Sequence, residues 1–133
     1  MSRVMIIDDD RTMLSLLKIL LEMEGFEVVG APRHDAILSS VRAEKPDVVL
    51  MDVFLPGVDG MEVLSQMRAS PDLAEERVLM TSGMDLGDQC LAAGANGFLL
   101  KPYTPEQLIS MIKETLGPNG PSRPLAGIER LTK

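Results

Sequence analysis

Short, predominantly apolar runs alternate along this chain with segments in which apolar residues recur every three or four positions. Runs of this length without polar alternation are typical of strands buried on both faces of a sheet. They predict five strands, at residues 4–7, 26–31, 48–51, 78–82 and 96–100.

Apolar residues at helical spacing predict one helix after each strand. The first helix runs from Asp10, a candidate N-cap, to Gly25. The fifth begins at Thr104, which forms a capping-box pattern with Gln107. The fourth, at residues 86–93, has the weakest apolar pattern.

The alternation of strands and helices predicts an α/β fold with a parallel sheet covered on both faces. The expected architecture is a flavodoxin-like (βα)5 doubly wound domain whose five-stranded parallel sheet has the order 2-1-3-4-5. This domain is expected to span residues 1–117. Residues 118–133 are rich in Pro and Gly, which predicts a tail or a linker.

Composition narrows the classes of function. The 133 residues carry a formal net charge of −7, which argues against a nucleic-acid-binding surface and against docking on anionic membranes.

A single cysteine, Cys90, excludes an internal disulfide and favours a reducing, cytoplasmic compartment. The apolar run near the N-terminus is too short for a signal peptide or a membrane span. Aromatic residues are few, so aliphatic side chains and the ten Met are expected to fill the core.

Polar side chains stand where four of the predicted strands end. They are Asp8 and Asp9 after the first strand, Asp52 after the third, Thr81 and Ser82 at the end of the fourth, and Lys101 after the fifth. Open α/β sheets bind ligands at the carboxyl ends of their strands, so these side chains are expected to converge. Pro56 and Gly57 are expected to keep the loop after Asp52 compact.

Carboxylates from Asp8, Asp9 and Asp52 at neighbouring strand ends repel one another unless a cation lies between them. Hard oxygen ligands favour Mg²⁺, which keeps several waters and accepts a phosphate oxygen. A carboxylate nucleophile, a divalent cation, a hydroxyl and an ammonium together fit phosphoryl transfer to an aspartate. The sequence therefore predicts Mg²⁺ as the cofactor of a phosphoryl-transfer site.

The motifs at these strand ends resemble those of response regulator receiver domains of bacterial two-component signalling, such as the chemotaxis response regulators. The motifs are IIDDD ending at Asp10, MDVFLPGVDG beginning at Met51, VLMTSG beginning at Val78 and GANGFLLKP beginning at Gly94. The resemblance covers about residues 3–117. Each motif alone is weak evidence for the resemblance. The four together are strong evidence, because they occur in order and each lies at the end of a predicted strand.

The resemblance implies that Asp52 is the phosphoacceptor and that a sensor histidine kinase is the donor. Asp8 and Asp9 would hold Mg²⁺ directly or through water, together with Asp52 and the backbone carbonyl of Phe54. The phosphorylated domain would act on a downstream effector protein or domain.

The resemblance also implies roles for the residues of the last two strands. Ser82 would hydrogen-bond the phosphoryl group, and Lys101 would pair with it. Phe98 would be the aromatic rotamer switch coupled to Ser82. The family further implies a cis peptide between Lys101 and Pro102.

Three features depart from the commonest family pattern. Thr81 and Ser82 offer two hydroxyls; Ser82 is preferred because a small residue follows it, and Thr81 is the fallback. The stretch between Ser82 and Lys101 is short, which predicts a truncated fourth helix and a changed partner face. Phe54 and Met84 are apolar at positions that flank the phosphoryl group in this family, which predicts slow hydrolysis of the phospho-form.

Two other functions fit parts of the sequence. Residues 8–12 match the Asp-x-Asp-x-Thr signature of haloacid-dehalogenase-type phosphatases, with Asp8 as nucleophile and Asp10 as acid/base. Those enzymes need further acidic ligands on a late strand, and no Asp follows Asp88. A degenerate receiver that binds partners without phosphorylation is the other alternative, against which the intact acidic set argues. The preferred interpretation is a signalling switch and not an enzyme; the sequence leaves open a homodimer through helices 4 and 5.

Overall fold

The computed structural model describes residues 1–31 and 33–117, so the predicted tail at 118–133 lies outside the described residues. The strands are β1 Arg3–Ile7, β2 Glu27–Gly30, β3 Val48–Asp52, β4 Val78–Ser82 and β5 Gly97–Leu100. The helices are α1 Arg11–Met23, α2 Ile37–Glu44, α3 Gly60–Ala69, α4 Gly87–Ala92 and α5 Pro105–Leu116. All ten predicted elements form within a few residues of their expected bounds.

The strands form one parallel sheet in the order β2-β1-β3-β4-β5, which confirms the predicted flavodoxin-like topology. Ile7 of β1 pairs with Met51 of β3, and Asp52 pairs with Thr81 of β4. The carboxyl ends of the three central strands therefore lie side by side. Every residue of β3 is buried, as its unbroken apolar pattern predicted.

The core consists of two clusters, one on each face of the sheet. Val49 and Met51 point into the cluster covered by α2, α3 and α4, whereas Val48 and Leu50 point into the cluster covered by α1 and α5. This alternation is the two-residue period of a strand. The predicted use of Met as core filler is confirmed by fully buried methionines, namely Met5, Met51, Met67, Met80 and Met111.

Local signals define two helix starts as predicted. The Asp10 side chain accepts a hydrogen bond from the backbone N–H of Met13 at 3.0 Å. The Thr104 hydroxyl accepts from the Gln107 N–H, and the Gln107 side chain accepts from the Thr104 N–H, which completes the capping box. Each cap satisfies backbone donors that have no partner within the helix.

The structure adds detail to two features that the sequence pattern predicted only coarsely. The loop after β3 forms a small antiparallel hairpin that pairs Phe54–Leu55 with Val58–Asp59, because Pro56 and a left-handed Gly57 make a tight turn. The fourth helix has only six residues, which confirms the predicted truncation. Its N-cap residue, Leu86, makes no side-chain cap hydrogen bond.

Glu76, between α3 and β4, is expected to make stability depend on pH. Burial, opposed first by a backbone hydrogen bond from Arg77, raises the pKa of Glu76 from 4.5 to about 7. Between these values the unfolded chain releases the proton while the folded chain keeps it, so the free energy of unfolding falls as the pH rises. Below this pH range Glu76 is protonated in both the folded and the unfolded chain. Above the range Glu76 is charged in both, and the loss of unfolding free energy no longer changes with pH.

Glu76→Gln is therefore expected to raise the free energy of unfolding at pH 8, by roughly 1 kcal/mol after allowance for partial exposure. At pH 4 the variant and the wild type should be equally stable. Guanidinium unfolding at both pH values measures the effect, and Glu75→Gln at the exposed neighbouring position is the control. A gain for Glu76→Gln that is the same at both pH values would contradict this account.

Candidate functional site

The predicted acidic residues meet at the carboxyl edge of the sheet. Carboxylate oxygens of Asp8, Asp9 and Asp52 lie within 4.8 Å of one another. Asp8 and Asp52 are each only 6 % exposed, whereas Asp9 is exposed. The convergence follows from the topology, because β1 and β3 are parallel neighbours and these residues stand at their ends.

Backbone donors orient the two buried carboxylates. The Asp10 N–H donates to Asp8 Oδ1 at 2.9 Å, and the Phe54 N–H donates to Asp52 Oδ1 at 3.2 Å. Both donors lie two residues after the carboxylate, in the turns that follow β1 and β3. The second oxygen of each carboxylate, Oδ2, is left for another donor.

Lys101 joins these second oxygens. Its Nζ donates to Asp52 Oδ2 at 2.7 Å and to Asp8 Oδ2 at 3.0 Å. Burial opposes the charge of Lys101, but the hydrogen bonds to Asp52 and Asp8 outweigh burial and raise the pKa of the ammonium. Lys101 is anchored by its backbone N–H, which donates to the Ser82 carbonyl, and it precedes a cis peptide bond to Pro102, as expected.

The two candidate hydroxyls differ in their partners. Thr81 Oγ1 donates to the Leu99 carbonyl at 2.8 Å, so its hydrogen is used between β4 and β5. Ser82 Oγ accepts from the Met84 N–H at 3.0 Å, an interaction that leaves the Ser82 hydrogen available for an acceptor. Both residues are buried.

Phe98 lies in the core, with 3 % of its surface exposed, in the same cluster as Cys90. Cys90 packs there with its Sγ 3.5 Å from Met61 Sδ, and burial raises the pKa of its thiol to about 11. These properties fit the interpretation of Cys90 as a packing residue. Phe54 and Met84, in contrast, are each 58 % exposed, and they lie two residues after Asp52 and Ser82.

Gly60 has a role in packing that the sequence pattern does not predict. A Cβ at this position would collide with the backbone carbonyl of Asp52 and would lie 3.0 Å from Val53 Cα. The Gly60 N–H also donates to the Val53 carbonyl at 2.8 Å. The start of α3 is thus pressed against the end of β3, a contact between separate elements that no local pattern reveals.

The donor set fits a hard divalent cation. Three carboxylates face one ammonium, and two of the carboxylates are nearly buried, which leaves uncompensated negative charge at the cluster. Carboxylate oxygens are the ligands that Mg²⁺ prefers. The ligand role of the Phe54 carbonyl stays a prediction. Asp10, the acid/base of the phosphatase alternative, uses its carboxylate as a helix cap.

Comparison with known proteins identifies the family. A family model described as the response regulator receiver domain matches residues 4–113. This chain belongs to the response regulator receiver domain family. Receiver domains are generally signalling modules, and an acidic pocket that binds Mg²⁺ is typical of them.

Among curated relatives, this receiver domain is 33 % identical over 119 residues to the DNA-binding response regulator MtrA of Mycobacterium tuberculosis, covering 88 % of this chain and 51 % of MtrA. It is 30 % identical over 116 residues to the alkaline phosphatase synthesis transcriptional regulatory protein PhoP of Bacillus subtilis, covering 86 % and 48 %. The chain spans about half the length of the curated relatives it matches.

Solved structures show the same fold. A putative response regulator from Chloroflexus aurantiacus matches this receiver domain with a TM-score of 0.79 and 32 % identity, over 86 % of this chain and 97 % of the other. The chemotaxis response regulator CheY4 of Vibrio cholerae matches with a TM-score of 0.79 and 26 % identity, over 87 % and 99 %. Within the described part of this receiver domain, no helix is both long and apolar enough to cross a bilayer.

Proposed function

We propose that this receiver domain accepts a phosphoryl group on Asp52 from a sensor histidine kinase and thereby switches a surface that a downstream effector recognises. The observation that carries the proposal is the pair of hydrogen bonds by which Lys101 joins Asp52 and Asp8 inside the acidic cluster. A carboxylate held beside an ammonium and further carboxylates suits an acceptor whose product is a doubly charged phosphoryl group. The proposed role is that of a switch and not of an enzyme acting on a separate substrate.

In the proposed reaction a carboxylate oxygen of Asp52 forms a bond to phosphorus as the bond from phosphorus to the donor imidazole breaks. The electron pair of the broken bond leaves with the imidazole nitrogen. Asp8 and Asp9, with Asp52, would hold Mg²⁺, which when bound supplies neutralisation of the phosphoryl charge. Lys101 already lies 2.7 Å from Asp52 Oδ2, so a small movement brings its ammonium to a phosphoryl oxygen.

Ser82 is the proposed hydroxyl partner of the phosphoryl group. The Thr81 hydrogen is engaged with the Leu99 carbonyl, whereas Ser82 keeps its hydrogen available, and this difference supports the choice. Movement of Ser82 would act on the end of β4. Phe98 pairs with Met80, two residues before Ser82, so the proposed aromatic switch lies on the strand beside that movement.

The proposed partners of the output step are protein partners. The relatives' names include DNA-binding and transcriptional regulators, but this chain matches only about half of each relative's length. The net charge of −7 also argues against a nucleic-acid-binding surface on this domain. The proposal includes a cytoplasmic location and no membrane docking, and it keeps residues 118–133 as a tail or linker. The proposed effector-binding or homodimer face consists of α4, β5 and α5.

Intact mass after incubation with acetyl phosphate tests the proposal. The wild-type chain is expected to gain one phosphoryl mass with Mg²⁺ and none with a chelator. The modification should be lost on treatment with hydroxylamine, which cleaves acyl phosphates. No gain under any condition would favour the phosphorylation-independent alternative and would contradict the proposal.

The exposed apolar side chains of Phe54 and Met84 are expected to give the phospho-form a long lifetime. Each is 58 % exposed, and their backbone N–H groups bond to Asp52 and Ser82. From these positions we expect the side chains to hinder a water that would attack phosphorus and expel Asp52. The combined Phe54→Ala and Met84→Ala variant should hydrolyse about three- to tenfold faster, a change of roughly 1 kcal/mol in the barrier. Loss of phosphoryl mass over time measures the rate.

The control is Ile19→Ala, which removes an apolar side chain of 57 % exposure from α1. Its phospho-form should decay at the wild-type rate. A wild-type lifetime of seconds, or equal decay in all three proteins, would count against shielding by Phe54 and Met84.

A further inference from the structure

The outer side of α1 carries an apolar stripe that stays exposed among residues 1–31 and 33–117. Leu16, Ile19 and Met23 follow one another at spacings of three and four residues, so their side chains share one side of the helix. They are 48 %, 57 % and 77 % exposed, whereas Leu17 and Leu21 of the same helix are buried in the core. Because Leu17 and Leu21 already hold α1 on the sheet, packing of the domain does not account for the stripe.

The stripe lies close to the point where the chain leaves α5. The Lys113 ammonium on α5 is 3.0 Å from the carboxylate of Glu24, the residue that follows Met23. Leu20, one turn before Glu24, is half-buried on the same side of α1. Gly117 ends α5 one turn after Lys113, whose carbonyl accepts from the Gly117 N–H at 2.8 Å. The residues that follow Gly117 therefore begin near the Met23 end of the stripe.

The sequence after residue 117 contains a segment of matching chemistry. Leu125, Ile128 and Leu131 are spaced three residues apart, like the apolar residues of the stripe. Residues 118–124 separate this segment from α5, and a chain of that length spans up to about 23 Å. The stripe itself is only about 10 Å long, because a helix rises about 1.5 Å per residue. The segment can therefore reach the stripe of its own chain.

Net charge favours the same contact. Residues 118–133 carry Arg123, Arg130 and Lys133 against a single carboxylate, Glu129, which gives a net charge of +2. Because the whole chain carries −7, residues 1–117 carry −9. The two parts of the chain therefore attract each other electrostatically.

The size of the stripe favours a segment of the same chain over a second copy. Its three side chains expose apolar surface of the order of 300 Å². A stable interface between separate molecules buries about 800 Å² on each partner. A segment on a short linker needs less surface, because the linker holds it at an effective concentration of about 1 mM.

We propose that residues 125–131 dock on the apolar stripe of α1 in the same chain and cover it against other proteins. Other proteins then reach the stripe only when the segment is released. The proposal does not depend on the acidic cluster. Variants of the stripe or of the segment are therefore expected to accept and lose the phosphoryl group of acetyl phosphate at wild-type rates.

Oxidation of Met23 by hydrogen peroxide measures the contact in the full chain, because peroxide converts an accessible methionine to its sulfoxide. The combined Leu125→Ser, Ile128→Ser and Leu131→Ser variant should be oxidised at Met23 about three- to tenfold faster than the wild type. At an effective concentration of about 1 mM and a dissociation constant of about 0.1–0.5 mM, docking leaves Met23 uncovered for about a tenth to a third of the time. Peptide mass spectrometry gives the rate.

Two controls accompany this measurement. Met84, which is 58 % exposed after β4, is the internal control and should be oxidised at the same rate in both proteins. Asn119→Ala, in the stretch between α5 and the segment, is the matched control variant and should leave the rate at Met23 unchanged.

Protection of Met23 that is lost in the segment variant and does not depend on protein concentration supports the proposal. Equal rates at Met23 in the wild type and the segment variant would overturn it. Equal acceleration at Met23 and Met84 would also overturn it, since the effect would not be specific to the stripe. Protection that grows with protein concentration would assign the stripe to a second copy and would refute docking within one chain.

Discussion

Asp52→Asn is expected to abolish phosphoryl incorporation. The amide keeps the shape of the carboxylate and its oxygen can still accept from Lys101, so the fold should be retained. The amide lacks the negative charge that makes a carboxylate oxygen a nucleophile. We expect no added phosphoryl mass in this variant after incubation with acetyl phosphate and Mg²⁺, under conditions in which the wild type is modified.

The matched control for this prediction is Asp88→Asn, an exposed carboxylate on α4 outside the cluster, which should accept the phosphoryl group like the wild type. Gain of phosphoryl mass in Asp52→Asn would move the acceptor to another residue. Asp8 would be the first to test, because it is the other nearly buried carboxylate that Lys101 contacts.

Lys101→Met is expected to lower the free energy of unfolding without Mg²⁺ by about 2–4 kcal/mol. Methionine fills similar space but leaves the carboxylates of Asp8 and Asp52, whose side chains are 4 % and 8 % exposed, facing each other without a counter-charge. Removing one partner of a buried ion pair costs several kcal/mol. The estimate is reduced because the Lys101 side chain itself is 26 % exposed. Guanidinium unfolding measures the change.

Mg²⁺ should restore much of this loss, since the cation takes over the neutralisation of the two carboxylates. The control is Lys113→Met, which breaks an ion pair of 3.0 Å with Glu24 between exposed side chains. It should cost at most about 1 kcal/mol and should not respond to Mg²⁺. Equal losses in the two variants would show that Lys101 does not stabilise the buried carboxylates.

The residues that meet at the site could be predicted from the sequence because their convergence depends only on the order and direction of the strands. Alternating strands and helices predict a parallel sheet, and polar residues at strand ends then share one edge. The structure brings Asp8, Asp9 and Asp52 together, and Lys101 reaches two of them. These positions required no knowledge of side-chain conformations, and the roles assigned to them remain predictions.

Features that depend on contacts between elements were not predictable in this way. Thr81 and Ser82 are adjacent at the end of one strand, and only the register with β5 reveals that the Thr81 hydroxyl is bonded to Leu99. The close approach of Gly60 to Asp52 joins residues eight positions apart in the chain and has no local signature.

The Gly60 contact makes the surroundings of Asp52 mechanically unequal. On one side, the end of β3 and the start of α3 lie backbone against backbone, with no side chain between them that could rearrange. On the other side stand the last residues of β4 and a helix of only six residues. A new charge on Asp52 would therefore displace the end of β4 and α4 more easily than the start of α3. The displacement is expected to be directed toward β4 and α4, which gives the response a direction before any partner binds.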